Sequence, residues 1–116
     1  MHEMSITESI LNVVLKHAEM SKANRVITIH LQIGKLSDLE DEWLQRYFDY
    51  LSKSTVAEGA RLKIERTPIV IQCAACPASY EAEAVQLGNL VCPSCGANQG
   101  ALISGREYYV KTMEVQ

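Results

Sequence analysis

Polar and apolar positions in the first third of the chain follow two rhythms. From Ile6 to Ser21 the apolar side chains return at three and four residues. Ile6, Ile10, Val13, Val14 and His17 form one row with Leu11, Leu15 and Ala18 beside it, which predicts an amphipathic helix. Ser5 followed by Glu8 is a capping-box pattern and predicts that Met1 to Met4 lie outside that helix. From Arg25 the period changes to two. Ile27, Ile29, Leu31 and Ile33 alternate with Thr28, His30 and Gln32, as in a half-buried strand that Gly34 ends. A second capping pattern, Ser37-Asp38-Leu39-Glu40, precedes a helix predicted to reach Ser54, with Trp43, Leu44, Tyr47, Phe48, Tyr50 and Leu51 on its apolar side. Leu62 and Ile64 alternate with charged residues in a short strand, and Glu107 to Val115 closes the chain as another.

Between those last two strands the composition changes. From Thr67 to Gly105 there is no Lys or Arg, yet the segment holds all three prolines, four of the six glycines and all four cysteines. It has little from which to build an apolar core. The boundaries drawn on this basis are an α+β domain of residues 1–66 plus 106–116 and a cysteine-bearing domain of residues 67–105. The fold class is α+β: a small sheet of about three strands with two helices, carrying an inserted four-cysteine, zinc-ribbon-like subdomain.

The cysteines supply what the missing core does not. Cys73 and Cys76, then Cys92 and Cys95, form two C-x2-C pairs separated by 15 residues, the spacing of a zinc site. A two-residue spacer lets one tight turn aim two thiolates at a common point, and the intervening loop brings the second pair round to complete a tetrahedron. Four sulfur donors leave no open position for water or substrate, so the expected role is structural, with Zn(II) as the resident ion. Iron is the chemical alternative for a four-sulfur tetrahedron. Such sites contribute roughly 10–16 kcal/mol of apparent binding energy in zinc-finger peptides, enough to order a segment with little core. Gly96, just after the last ligand, is suited to a left-handed turn.

Composition narrows the function classes. At 116 residues, 47% apolar and 22% charged, the chain reads as a single globular domain or little more, without an apolar run long enough to cross a bilayer. The first dozen residues carry no Lys or Arg and no apolar run, so they do not read as an export signal, and the expected location is the cytoplasm with reduced thiols. A formal charge of -3 gives no field for attracting phosphates. The alternative function, a zinc-ribbon adaptor binding nucleic acid or protein, is weakened on its nucleic-acid side. Residues 67–105 contain Glu81 and Glu83 but no base, and Tyr80 is their only aromatic residue. No H-E-x-x-H or nucleophile-elbow pattern is present, and the three histidines stand in three different elements, so no enzyme is expected.

His2 is chemically distinctive because of its place in the chain. The terminal amine of Met1, the His2 amide nitrogen and the imidazole Nδ1 can close fused five- and six-membered rings around one ion. Three nitrogens in a plane suit Ni(II) or Cu(II). Glu3 can add a carboxylate or its own amide, and Glu40 is a more distant candidate. Both acids also have simpler readings, Glu3 as an acid near a helix start and Glu40 as a capping residue. His17 reads as a hydrogen-bonded core histidine and His30 as an exposed one.

With Met1-His2-Glu3-Met4-Ser5, the two cysteine pairs, and Ser104-Gly105-Arg106-Glu107 leading to Met113-Glu114-Val115, the chain resembles the HypA/HybF family of hydrogenase nickel incorporation proteins. The likeness spans essentially its whole length. It implies a nickel-binding α+β domain with an inserted zinc domain and a metallochaperone rather than a catalyst. The transient cargo is Ni(II), bound at His2 with Met1 and Glu3 and, by analogy with some relatives, near Glu40. The zinc ligands are Cys73, Cys76, Cys92 and Cys95. The implied partners are a GTPase accessory protein and the large-subunit precursor of [NiFe] hydrogenase, with urease also served in some organisms, and the chain itself is expected to be a monomer or weak homodimer. Some relatives complete the nickel site with a histidine of the zinc domain, and residues 67–105 contain none.

Overall fold

The computed structural model describes residues 3–116. In chain order the elements are α1 (Glu3–Met20), β1 (Val26–Gly34), α2 (Asp41–Leu51), β2 (Arg61–Thr67), β3 (Ile69–Cys73), β4 (Ser79–Ala82), a 3-10 turn (Ala84–Gln86), β5 (Gly100–Ser104) and β6 (Tyr108–Val115). The strands make two three-stranded sheets, ordered β2-β1-β6 and β4-β3-β5. The chain divides into two compact units. The first takes the described residues up to Gln32 with Asp38–Glu65 and Tyr109–Gln116, and the second takes Ile33–Ser37 with Arg66–Tyr108.

In the first unit α1 packs on α2. Thr7, Ile10, Leu11, Val14 and Ala18 are buried on one side of α1, and Leu44 and Phe48, four residues apart, are fully buried on α2. Ile29 and Leu31 of β1 are also fully buried, and each such side chain contributes roughly 1.5–3 kcal/mol relative to an exposed one. Ile27, on the same side of the strand by alternation, is 41% exposed near its start.

Both helix starts differ from those drawn from capping patterns. The helix α1 begins at Glu3 rather than Ile6, so Met4 is helical and Ser5 and Glu8 lie within it. Ser5 is instead the acceptor of an i,i+4 bond, its carbonyl receiving the Ser9 hydroxyl at 3.2 Å. Burial of Glu3 together with Thr7 carries the helix one turn beyond the local signal. The Glu40 side chain makes no capping bond to α2, and that helix stops at Leu51. Ser52 is fully buried and Ser54 adopts φ 67, which turns the chain away. His17 is exposed, correcting the core reading, because Val14 and Ala18 hold the buried line on either side of it. His30 is only partly exposed, its Nε2 3.1 Å from Glu114 Oε1. That partner holds the Glu114 carboxyl below the usual carboxylate range.

The second unit has a core after all. Ile69, Ile71 and Ala82 are buried, and Leu36, Tyr80, Leu87, Leu90 and Leu102 pack against them. Its central strand β3 is antiparallel to β4, with Ile71 opposite Tyr80, and to β5, with Ile71 opposite Leu102. Leu36 reaches this core because its own loop is bonded in place: Lys35 donates to the Thr67 carbonyl at 2.9 Å and Leu36 to the Gly105 carbonyl at 2.8 Å. Glu107 closes the same corner, one carboxylate oxygen accepting from the Gly105 amide at 2.7 Å and the other from the Thr67 hydroxyl.

Candidate metal centre

Two similar turns carry the cysteines. The first follows the end of β3, where Cys73 donates its amide to Ala78 at 3.0 Å and Ala74 donates to Gln99 at 3.0 Å. The second is closed by Cys92 donating to Ala97 at 2.8 Å and Gly96 donating to Cys92 at 2.8 Å, with Gly96 at φ 77 as its spacing predicts. The local chain is thus bent at both C-x2-C pairs so that the thiols converge. All four sulfurs lie within 4.8 Å of one another.

The distances fit a tetrahedral ion. Cys73 Sγ is 3.5 Å from Cys95 Sγ, and Cys76 Sγ is 3.7 Å from Cys92 Sγ. A tetrahedron with metal–sulfur bonds of about 2.3 Å has sulfur–sulfur edges of about 3.8 Å, whereas a disulfide would bring two sulfurs to about 2.0 Å. All four cysteines are free thiols. Cys73 and Cys92 are buried while Cys95 is exposed, so the centre sits at the edge of its unit.

Electrostatics at the cluster favour a cation. The Ala75 amide, 3.3 Å from Cys73 Sγ, stabilises the thiolate and draws the Cys73 thiol down. The amides of Cys95 and Ser94 draw Cys92 down to about 6, against its burial. Cys76 is pushed up to about 12: the Ala78 amide favours its thiolate, but burial and the sulfurs of Cys73, Cys95 and Cys92 outweigh it. Four thiols at this distance cannot all ionise unless positive charge stands among them. A divalent metal supplies that charge and deprotonates its thiol ligands.

Of the other predicted metal residues, Glu3 and Glu40 lie in the first unit. Met1 and His2 are outside the described residues. Glu3 is buried at the start of α1, and its Oε2 accepts the Glu40 amide at 3.3 Å, so two acids far apart in sequence meet. They line a cleft of about 540 Å3 with Asp38, Trp43 and Tyr47. Because Glu40 does no capping through its side chain, the simpler reading of that residue falls away.

Asp38, Trp43 and Tyr47 were not picked out as site residues by the sequence. Trp43 and Tyr47 stand one turn apart, ring centroids 5.8 Å apart, and Trp43 is 42% exposed. Two large aromatic rings on the outward side of an amphipathic helix were the available signal. Their count within the apolar face concealed it.

Comparison with known proteins agrees along the whole chain. A family model described as hydrogenase/urease nickel incorporation, metallochaperone, hypA matches residues 1–115. The chain is similar to the hydrogenase maturation factor HypA of Caldanaerobacter subterraneus subsp. tengcongensis, 35% identical with both chains fully covered. It is also similar to that of Dehalococcoides mccartyi, 34% identical over 99% of this chain and 94% of the other. Among solved structures, the solution structure of the nickel metallochaperone HypA from Helicobacter pylori covers 99% of this chain and 97% of its own. It superposes with TM-score 0.71 at 23% identity, a likeness of fold.

Proposed function

Because the chain belongs to the HypA family of hydrogenase and urease nickel incorporation metallochaperones, we propose that it takes up Ni(II) at its N-terminus and hands it on during hydrogenase maturation. The Met1 amine, the His2 amide and the His2 imidazole supply three donors in one plane, an arrangement Ni(II) accepts and Zn(II) does not prefer. In this reading Glu3 and Glu40 add carboxylate donors for the incoming or departing ion. The observation that carries this reading is the cleft that Glu3, Asp38 and Glu40 line together, in which Glu3 Oε2 accepts the Glu40 amide at 3.3 Å.

Cys73, Cys76, Cys92 and Cys95 hold Zn(II) in this proposal. It closes the cysteine-bearing domain, residues 67–105, while residues 1–66 plus 106–116 form the nickel domain. A closed four-sulfur shell exchanges its ion slowly and contributes folding energy, whereas an open planar site of nitrogen donors can release its cargo when protons or a competing ligand arrive. The recipients are the large-subunit precursor of [NiFe] hydrogenase and, where it is present, urease, with a GTPase accessory protein as the partner in transfer.

Metal analysis of the purified chain before and after nickel addition tests the proposal. It predicts one zinc that survives dialysis and one nickel that does not survive a chelator, and a chain that takes up no nickel defeats it.

A further inference from the structure

Beside the Cys92 turn the second unit carries a groove of about 460 Å3, lined among others by Tyr80, Glu81, Val85, Leu90, Val91 and Pro93. Its apolar side is open to solvent: Val85 is 92% exposed and Val91 59%. Single exposed apolar residues are ordinary, but this one stands on a stiffened turn. The Glu83 carboxylate accepts the Gln86 amide, and the Glu83 amide donates to Gln86 Oε1 at 2.8 Å. A side chain presented by a preformed turn loses little entropy when a partner covers it.

Two further features say what kind of partner fits. The strand β4, Ser79–Ala82, is an outer strand of its sheet, so one edge is left for an extended chain to pair with. The charge around the groove has a single sign. Residues 67–105 contain Glu81 and Glu83 and no Lys, Arg or His, and Glu81 lies on the groove itself. That sign repels nucleic acid and anionic membrane and attracts a basic chain.

We propose that this groove docks an extended segment of another protein in which Lys or Arg residues flank one or two apolar side chains. The apolar side chains cover Val85, Leu90 and Val91, and the basic residues face Glu81 and Glu83. No residue of the N-terminal site takes part, so the inference stands or falls separately from nickel binding.

The test is a nuclear magnetic resonance titration of the nitrogen-labelled, zinc-loaded full chain. The probe is a capped peptide Lys-Lys-Leu-Thr-Leu-Lys-Lys, with Glu-Glu-Leu-Thr-Leu-Glu-Glu as the matched control. The basic peptide alone should shift the amides of Tyr80, Glu81, Val85 and Val91, less so as salt is raised. Glu81→Lys and Val85→Ser change exposed side chains, so both variants should keep their zinc and their remaining amide fingerprint. Each should weaken the basic peptide by about tenfold. Equal response to both peptides, shifts centred elsewhere, or affinity unchanged in both variants would overturn the proposal. Concentration-dependent shifts of the same amides without peptide would also overturn it, by assigning the groove to a second copy of the chain.

Discussion

The Cβ that Gly34 lacks would lie 1.9 Å from the carbonyl oxygen of Gly105. Gly105 itself sits at φ 124, a conformation open to glycine and rarely to others. The same oxygen accepts the Leu36 amide at 2.8 Å, and the Gly34 amide donates to Glu107 at 2.8 Å, so two backbones are drawn into contact where no side chain fits. This contact gives the Ser104-Gly105-Arg106-Glu107 motif a physical reason within the second unit: a glycine for the approach and a carboxylate to bind the turn.

Gly34→Ala should therefore destabilise the chain by about 2–3 kcal/mol, since the clash is with backbone that cannot rotate away. Gly88→Ala is the control, because a Cβ there meets nothing within 4 Å. Denaturant titration of both variants checks this, and equal midpoints would remove the steric argument.

Glu107 carries an acid dependence. The Thr67 hydroxyl and then the Gly105 amide hold its carboxyl below the usual carboxylate range. A depressed carboxyl contributes stability that is fully present above its unfolded value, near 4.5, and is lost as pH falls through its lower folded value. Glu107→Gln should lower stability at neutral pH and flatten the acid side of the stability profile below that value. A parallel downward displacement at every pH would contradict this assignment.

Removal of the proposed zinc ion should act on one unit. Both helices, α1 and α2, belong to the first unit, whereas all four cysteines belong to the second. Cys92→Ala, or a strong chelator at mildly acidic pH, should strip the metal and expose the amides of β3, β4 and β5 to hydrogen exchange. The far-ultraviolet helix signal should persist. Retained zinc and retained protection in Cys92→Ala would refute a ligand role for that residue.

Trp43 is the single tryptophan of the chain and lines the cleft with Glu3 and Glu40. Bound Ni(II) has an open d shell whose low-lying states can take up the indole's excitation, so nickel addition should quench Trp43 emission in proportion to occupancy. Zinc, with a filled d shell, should not. Quenching that is the same in His2→Ala would place the responsible ion elsewhere.

Legibility followed the range of the forces involved. The strand β1 and the two cysteine turns are local patterns and appear where the sequence places them, with Ile29, Leu31 and Ile33 buried as the alternation requires, while at the strand's start Ile27 is exposed and Thr28 buried. Helix ends were misjudged because Ser5–Glu8 and Ser37–Glu40 satisfy a local rule, while burial of Glu3 and Thr7 and of Leu44 and Phe48 decides where the helices run. His17 fell on the wrong side for a related reason: a stripe drawn through Val13 and His17 is rotated from the one that Val14 and Ala18 bury. The core of the second unit was not legible because Ile69, Ile71, Ala82, Leu90 and Leu102 are scattered among turns and meet only through strand pairing, and nothing local says that Leu36 joins them from outside the cysteine segment. The meeting of Glu3 with Glu40 is a long-range contact of the same kind.

The central claim is tested most directly by calorimetric titration of nickel into the untagged, zinc-loaded chain beside His2→Ala. The account predicts uptake of one nickel by the native chain, weakening as pH falls below about 7 where protons compete for the imidazole and amine. It predicts no tight uptake by His2→Ala, with zinc content unchanged. Equal nickel affinity in the two proteins, or loss of zinc from His2→Ala, would contradict it.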